Sequence, residues 1–289
     1  AKPLFESILA SGLSFPTWQK WHAAYFSQGY LLVITLDHYE DEKIFTRFAK
    51  VFDQAYVRFL DLQKAEAQAR EAQIEAALEK VRSRSLAMRK SNEVQEIVNI
   101  VFKNLRDLNI ETDVTSVIIL KEDMYEMDYW VANSDNIFST MFRILHNDNI
   151  RILKDVMIAR KKDVDFSKSY SFEEKNELWN YLFEHSDLRK IPDERKKFVL
   201  KTNAYTTSVA FTKNAAVQLN RYYNKPFTEK ENEILKRFAI VFEQAYIRFL
   251  DLQRAETQAR EAIKQASLDR VRGEIASMRT KDDLNRITP

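Results

Sequence analysis

The stretch Arg47-Phe48-Ala49-Lys50-Val51-Phe52-Asp53-Gln54-Ala55-Tyr56 returns 190 residues later as Arg237-Phe238-Ala239-Ile240-Val241-Phe242-Glu243-Gln244-Ala245-Tyr246. The match runs without a gap from 46–97 onto 236–287. Between Arg47 and Ala72 only Lys50, Asp53, Val57, Lys64 and Ala67 are replaced, by Ile240, Glu243, Ile247, Arg254 and Thr257. A period of that length is one whole domain plus its linker, far longer than the units of solenoid proteins. The 289-residue chain is therefore expected to divide into four parts. These are the C-terminal part of a truncated first copy (1–50), a linker helix (51–91), one complete copy (92–250) and a second linker helix (251–289). The absence of an initiating Met and of the first copy's opening half reads as an excised piece.

Breaking residues are placed unevenly. No Pro occurs between Pro16 and Pro192, and no Gly between Gly29 and Gly273. Both are poorly tolerated inside helices. The segment 40–108 is rich in Ala, Glu, Gln, Lys, Arg and Leu. An unbroken helix there would extend on the order of 100 Å and would act as a connector.

The complete copy changes pattern. In 92–108, Val94, Ile97, Val98, Val101, Phe102, Leu105 and Leu108 form one helical stripe. Segments 114–120 and 125–132 are rich in β-formers and flank the polar Lys121-Glu122-Asp123, which predicts a hairpin. A short strand is expected at 142–145 and a helix at 172–184. A second hairpin is expected from 206–212 and 217–223. Thr228 then caps an exit helix, with Glu231 completing a capping box. Helix, strands, helices, strands, helix predicts an α+β domain: a central antiparallel sheet flanked by helices, joined to its neighbours by long coiled-coil linker helices.

That order resembles the GAF domain, chiefly through Pro226-Phe227-Thr228-Glu229-Lys230-Glu231-Asn232-Glu233-Ile234-Leu235 leading into Phe238-Ala239. In that family a Pro-Phe-Thr turn after the last strand opens the C-terminal helix. The linkers 58–88 and 248–278 look like the signalling helices that join GAF repeats in bacterial sensor histidine kinases and cyclases. The first copy departs from the pattern, since Asp37-His38-Tyr39-Glu40-Asp41-Glu42 stands where the Pro-Phe-Thr turn would be. The resemblance implies a sensory or allosteric module. Some members bind cyclic nucleotides, haem or bilins over the sheet, and many have no known ligand.

Composition narrows the chemistry. With no Cys, a disulfide scaffold, a thiolate metal site, a cysteine nucleophile and covalent bilin attachment are excluded. Three Gly leave no room for glycine-rich phosphate loops. The charges nearly cancel, 45 Lys+Arg against 43 Asp+Glu, which argues against nucleic acid and a polybasic membrane anchor. No apolar run approaches the roughly 20 residues that span a bilayer, and a cytoplasmic location is expected. No catalytic constellation, metal site or cofactor is predicted.

The candidate ligand-binding residues are Trp130, Phe142, His146 and Trp179. The three aromatics could line a pocket beside the sheet, although aromatics there are more often plain core. His146-Asn147-Asp148-Asn149 could coordinate a cation, although a turn at a strand end is the commoner meaning. Asn224-Lys225-Pro226-Phe227 reads as turn and cap chemistry. The basic run Lys80, Arg82, Arg84, Arg89 and Lys90 reads as a solvated face, because its repeat equivalents include Glu274 and Thr280.

Leu60, Ala67, Ile74, Val81 and Met88 fall every seven residues, with Leu78 four after Ile74. This spacing predicts a left-handed coiled coil and a dimer seam through those six positions. Polar Lys64, Glu71 and Ser85 weaken the seam, which suits a relay between two packings. Taken together, the sequence predicts a non-catalytic regulatory fragment of a bacterial signal-transduction protein. It would be a parallel homodimer with a possible small-molecule ligand of unknown kind and a kinase or cyclase output domain downstream. The alternative is a ligand-free structural dimerisation spacer.

Overall fold

The computed structural model describes residues 18–89, 93–120, 126–133 and 140–276. Contacts divide the chain into two compact units, Ala1–Ala72 and Gln73–Pro289. The residues Lys121-Glu122-Asp123, Lys90 and Met278 lie outside the described residues.

In the first unit, β1 (Lys20–Phe26) and β2 (Gly29–Thr35) form an antiparallel hairpin with Phe26 opposite Gly29. Alternation turns His22 and Ala24 inward. Helix α1 (Lys43–Leu86) begins here, and Phe52 meets Phe26 edge-on at 5.1 Å between ring centroids. Asp53 Oδ1 accepts the Ser27 backbone N–H at 3.1 Å and so clamps the turn. At 44 residues α1 is about 66 Å long, and it ends well short of residue 108.

The second unit contains a six-stranded, wholly antiparallel sheet in the order β5-β4-β3-β8-β7-β6. Its strands are β3 (Val114–Ile119), β4 (Glu126–Asn133), β5 (Thr140–Leu145), β6 (Phe166–Tyr170), β7 (Tyr205–Phe211) and β8 (Ala215–Arg221). Both predicted hairpins are present, as β3–β4 and β7–β8. The central pair β3–β8 joins segments about a hundred residues apart, with Val117 opposite Val217.

Helices cover both faces. On one face, α2 (Val94–Asp107), the start of α6 (Glu229–Ala276) and the end of α1 share a core with Val117, Ala132, Ala210 and Leu219. On the other, α3 (Arg151–Lys161), α4 (Phe172–His185) and α5 (Asp193–Lys201) share a core with Ile118, Tyr129, Phe142 and Val209. The α+β expectation of one antiparallel sheet flanked by helices therefore holds.

The seam reading requires correction. Ile74, Leu78, Val81 and Met88 are only 6, 3, 0 and 3% exposed, buried in the core of their own unit with Ile97, Val101, Phe238 and Phe242. A seven-residue apolar spacing demands a partner surface without specifying whose chain supplies it. Here the same chain supplies it, so these four are unavailable to a second protomer. For the same reason the compact unit starts near Gln73 rather than at 92. Of the other two seam positions, Leu60 is half-buried and Ala67 exposed. Among the described residues of the basic run, Lys80 and Arg89 are exposed, Arg82 pairs with Glu79, and Arg84 pairs with Glu93 and Glu96.

Candidate functional site

A strand side chain can reach only one face of its sheet. On β4 this sends Tyr129 and Val131 toward α3, α4 and α5, and Trp130 toward the opposite core. The first of these faces encloses a cavity of about 80 Å³. Tyr129, Phe142, Trp179, Tyr205 and Tyr222 supply aromatic walls, with the Tyr129 and Phe142 rings stacked at 5.7 Å and 10°. Ser116, Gln218, Asn220 and Arg195 bring polar groups to the same space. Tyr205 O–H donates to Asn220 Oδ1 at 2.7 Å, and Gln218 Nε2 to Thr207 Oγ1 at 2.8 Å.

The electrostatics follow from burial. Loss of water disfavours a phenolate, and the Tyr129, Tyr205 and Tyr222 hydroxyls are all pushed well above the ordinary tyrosine range. They remain neutral. Arg195 brings the guanidinium, held over the Phe198 ring at 4.9 Å and the Tyr222 ring at 5.9 Å. No carboxylate is among the described residues of the wall.

Behind the wall lies a buried lysine. Lys175 of α4 donates to Val199 O at 2.5 Å, Leu200 O at 3.2 Å and Thr202 Oγ1 at 3.2 Å. It thereby satisfies the last carbonyls of α5, whose Val199 lines the cavity. Burial pulls its ammonium down to about 8.

The end of β8 connects the two faces. Asn220 and Tyr222 face the cavity, while Arg221 between them is wholly buried. Arg221 donates to Glu111 O at 2.7 Å, to Lys225 O and Pro226 O at 3.1 Å, and to Glu231 Oε1 at 2.5 Å. Its guanidinium lies 3.8 Å from the Phe227 ring centre. Glu231 Oε2 also accepts the Thr228 N–H at 2.8 Å, and Glu231 N–H donates to Thr228 Oγ1 at 3.3 Å, which completes the predicted capping box. The turn and cap reading of 224–227 holds with it. Further along α6, Glu243 grips the β7–β8 turn, accepting Thr212 Oγ1 and Asn214 Nδ2 at 2.8 Å. Its repeat equivalent, Asp53, grips the β1–β2 turn in the same manner.

Of the four predicted ligand residues, the structure brings Phe142 and Trp179 together in the cavity wall. Trp130 packs on the opposite face, against the helical core, because of its place in the strand alternation. His146 is not among the wall residues. Its Nε2 lies 3.0 Å from Asp148 Oδ1, while Asn147 Oδ1 accepts the Asn149 N–H at 3.0 Å, an Asx turn into α3. Sequence reasoning missed Ser116, Arg195, Tyr205, Asn220 and Tyr222. Among the described residues no cluster of three or more His, Asp or Glu is placed to hold a metal ion. No helix among them is long and apolar enough to cross a membrane.

No protein-family model matches the chain, and no curated protein matches it. Among solved structures it is similar to the GAF domain of a phosphoenolpyruvate-protein phosphotransferase from Coxiella burnetii, at 11% identity over 65% of this chain and 98% of that one, with a TM-score of 0.36. It is also similar to the phycoerythrobilin-bound GAF domain of a cyanobacterial phytochrome, at 11% identity over 61% and 97%, with a TM-score of 0.37. The A. aeolicus nlh2 GAF domain in an inactive state aligns at 7% identity over 61% and 98%, with a TM-score of 0.33.

Proposed function

We propose that this chain is a non-catalytic sensory fragment of a bacterial, cytoplasmic signal-transduction protein, built from GAF-like units in tandem. The complete unit reads a small molecule in the cavity and passes the result to α6, which carries it to an output domain of the kinase or cyclase kind. The observation that carries this reading is the triplet Asn220-Arg221-Tyr222. Its outer members line the cavity and its middle member is bonded to the first turn of α6. A ligand that shifts this strand end therefore acts directly on the exit helix, by preferring one of its packings. Moving such a helix from mostly one state to mostly the other takes about 5.5 kcal/mol of preference. The matched Asp53 and Glu243 clamps support the tandem reading.

The homodimer is part of the proposal, with its seam relocated. On α6, Leu268, Val271 and Ile275 are exposed and spaced by three and four residues, the pattern of a coiled-coil face. Small molecules retained by the purified protein and released on denaturation, identified by mass spectrometry, test the sensory reading. A stoichiometric ligand is expected. A protein that neither retains nor binds any small molecule is instead a spacer, the reading favoured if the cavity is a dry defect of the core.

A further inference from the structure

We propose that the outer face of the β1–β2 hairpin is a contact surface for the same face of a second copy of this chain; this deepens the homodimer part of the proposed function and rests on it. Alternation gives the paired strands two sides. His22, Ala24, Phe26, Leu31 and Val33 belong to the inner side, where Phe26 meets Phe52 of α1. Trp21, Ala23, Tyr25, Tyr30, Leu32 and Ile34 make up the outer side, and none of the six carries a charge. Trp21, Tyr25 and Tyr30 are 59, 78 and 58% exposed, and Leu32 and Ile34 39 and 46%. In the second unit the side of β7–β8 turned away from α6 is covered, with Tyr205, Val209, Phe211 and Ala216 in the core under α3, α4 and α5.

The register says what fits the uncovered face. Its cross-strand pairs are Trp21–Ile34, Ala23–Leu32 and Tyr25–Tyr30. A two-fold axis along the strands, midway between β1 and β2 in the plane of contact, lays β1 of one protomer over β2 of the other. Each side chain then faces the partner's copy of its own cross-strand neighbour. Leu32 fills the shallow place left by the partner's Ala23, and the symmetry repeats the fit, which is the self-complementarity a two-fold contact demands. The same axis keeps the strands of both protomers running in one direction, as a parallel homodimer requires. Area agrees with the geometry. The five large side chains leave on the order of 600 Å² of surface in water, at the upper end of what monomers expose. Two such faces bring together about 1,200 Å², which reaches the range of specific interfaces. No charge on either face has to be desolvated.

The test is sedimentation velocity and cross-linking on the 289-residue protein, whose lack of Cys makes an introduced thiol the sole one. Leu32→Asp should weaken the dimer at least about ten-fold with an unchanged circular dichroism spectrum, because its carboxylate would be buried against an apolar face. Protein carrying Ala23→Cys is then mixed with protein carrying Leu32→Cys and treated with a bismaleimide spanning about 10 Å, the spacing of stacked sheets. The mixture should cross-link in clearly higher yield than either variant alone, and this arm serves if Leu32→Asp does not fold. A dimer that Leu32→Asp leaves unweakened, or a mixture that cross-links no better than its components, overturns the hairpin contact and leaves a homodimer through α6 in place. A protein that stays monomeric at every accessible concentration overturns both. Binding of that monomer to phosphatidylglycerol vesicles, abolished by Leu32→Asp, would assign the face to a lipid surface instead.

Discussion

Arg221 Nη2 and Glu231 Oε1 meet at 2.5 Å, joining the last residue of β8 to the first turn of α6 with the arginine wholly shielded from water. Arg221 uses Nε, Nη1 and Nη2, so every part of the buried guanidinium is matched by an oxygen. Removing one partner of a buried pair strands the other's charge, which costs about 3–5 kcal/mol. Arg221→Met leaves the partly exposed Glu231 and the Glu111, Lys225 and Pro226 carbonyls without their donor and is expected to lose about 3 kcal/mol in urea denaturation, with Glu231→Gln, which strands the wholly buried guanidinium, losing at least as much. A loss below about 1 kcal/mol for Arg221→Met would show that the knot does not hold the exit helix.

Lys175 predicts a dependence on pH. Its folded-state pKa, near 8, lies below the unfolded value near 10.5. Between those values the unfolded chain binds the extra proton, so stability rises with pH. The native state carries the full penalty of the charged form below pH 8. From pH 8 to about 9.5 the gain should reach about 1–2 kcal/mol relative to Lys175→Met, at 1.36 kcal/mol per unit. Above pH 10 the buried tyrosines oppose it, since their folded pKa values are raised and ionisation favours unfolding. Parallel urea curves for both proteins across pH 7–9.5 check the sign, and a flat difference would remove Lys175 from the account.

The repeated helix segment sits in two environments. Phe238, Val241, Phe242 and Phe249 are 0, 5, 0 and 3% exposed, whereas their equivalents Phe48, Val51, Phe52 and Phe59 are 60, 64, 49 and 51% exposed. Phe242→Ala is therefore expected to cost about 3–5 kcal/mol and Phe52→Ala less than about 1 kcal/mol. Equal losses would mean that Phe52 is covered in solution.

Much of this architecture is legible in the sequence where only one face of an element is buried. The α2 stripe and the Thr228–Glu231 capping box have periods or spacings that survive reading. The β1–β2 hairpin is legible too, in the turn residues Ser27-Gln28-Gly29 between β-rich runs. Strands β7 and β8 are buried on both faces along their whole length, which removes the alternation that would say which side chain points where. That hides Tyr205 and Asn220 from a reading of the sequence, whereas Trp130 lies on β4, whose alternation sets it on the face opposite Tyr129 and Val131. Arg195 lies on α5, a nine-residue helix whose sequence, Asp-Glu-Arg-Lys-Lys-Phe-Val-Leu-Lys, is mostly charged and shows no apolar stripe. The seam failed for another reason: spacing fixes the geometry of a helix face and leaves its partner open.

Asp53 and Glu243 occupy equivalent positions and clamp equivalent turns, but Glu243 is buried and Asp53 half-buried. Glu243→Gln should loosen the β7–β8 turn and cost about 1–3 kcal/mol, raising amide exchange at Asn214. Asp53→Asn should cost under about 1 kcal/mol. The reverse order would contradict the burial assigned to the two sites.

The coupling of cavity to exit helix is tested most directly by filling the one and watching the other. Ser116→Leu places an apolar side chain in the cavity without touching α6, and hydrogen exchange resolved by mass spectrometry reads residues 254–276. A change in protection there, with the urea midpoint preserved, is the predicted result. Protection in α6 identical to that of the unaltered protein, with the cavity demonstrably filled, would contradict the account.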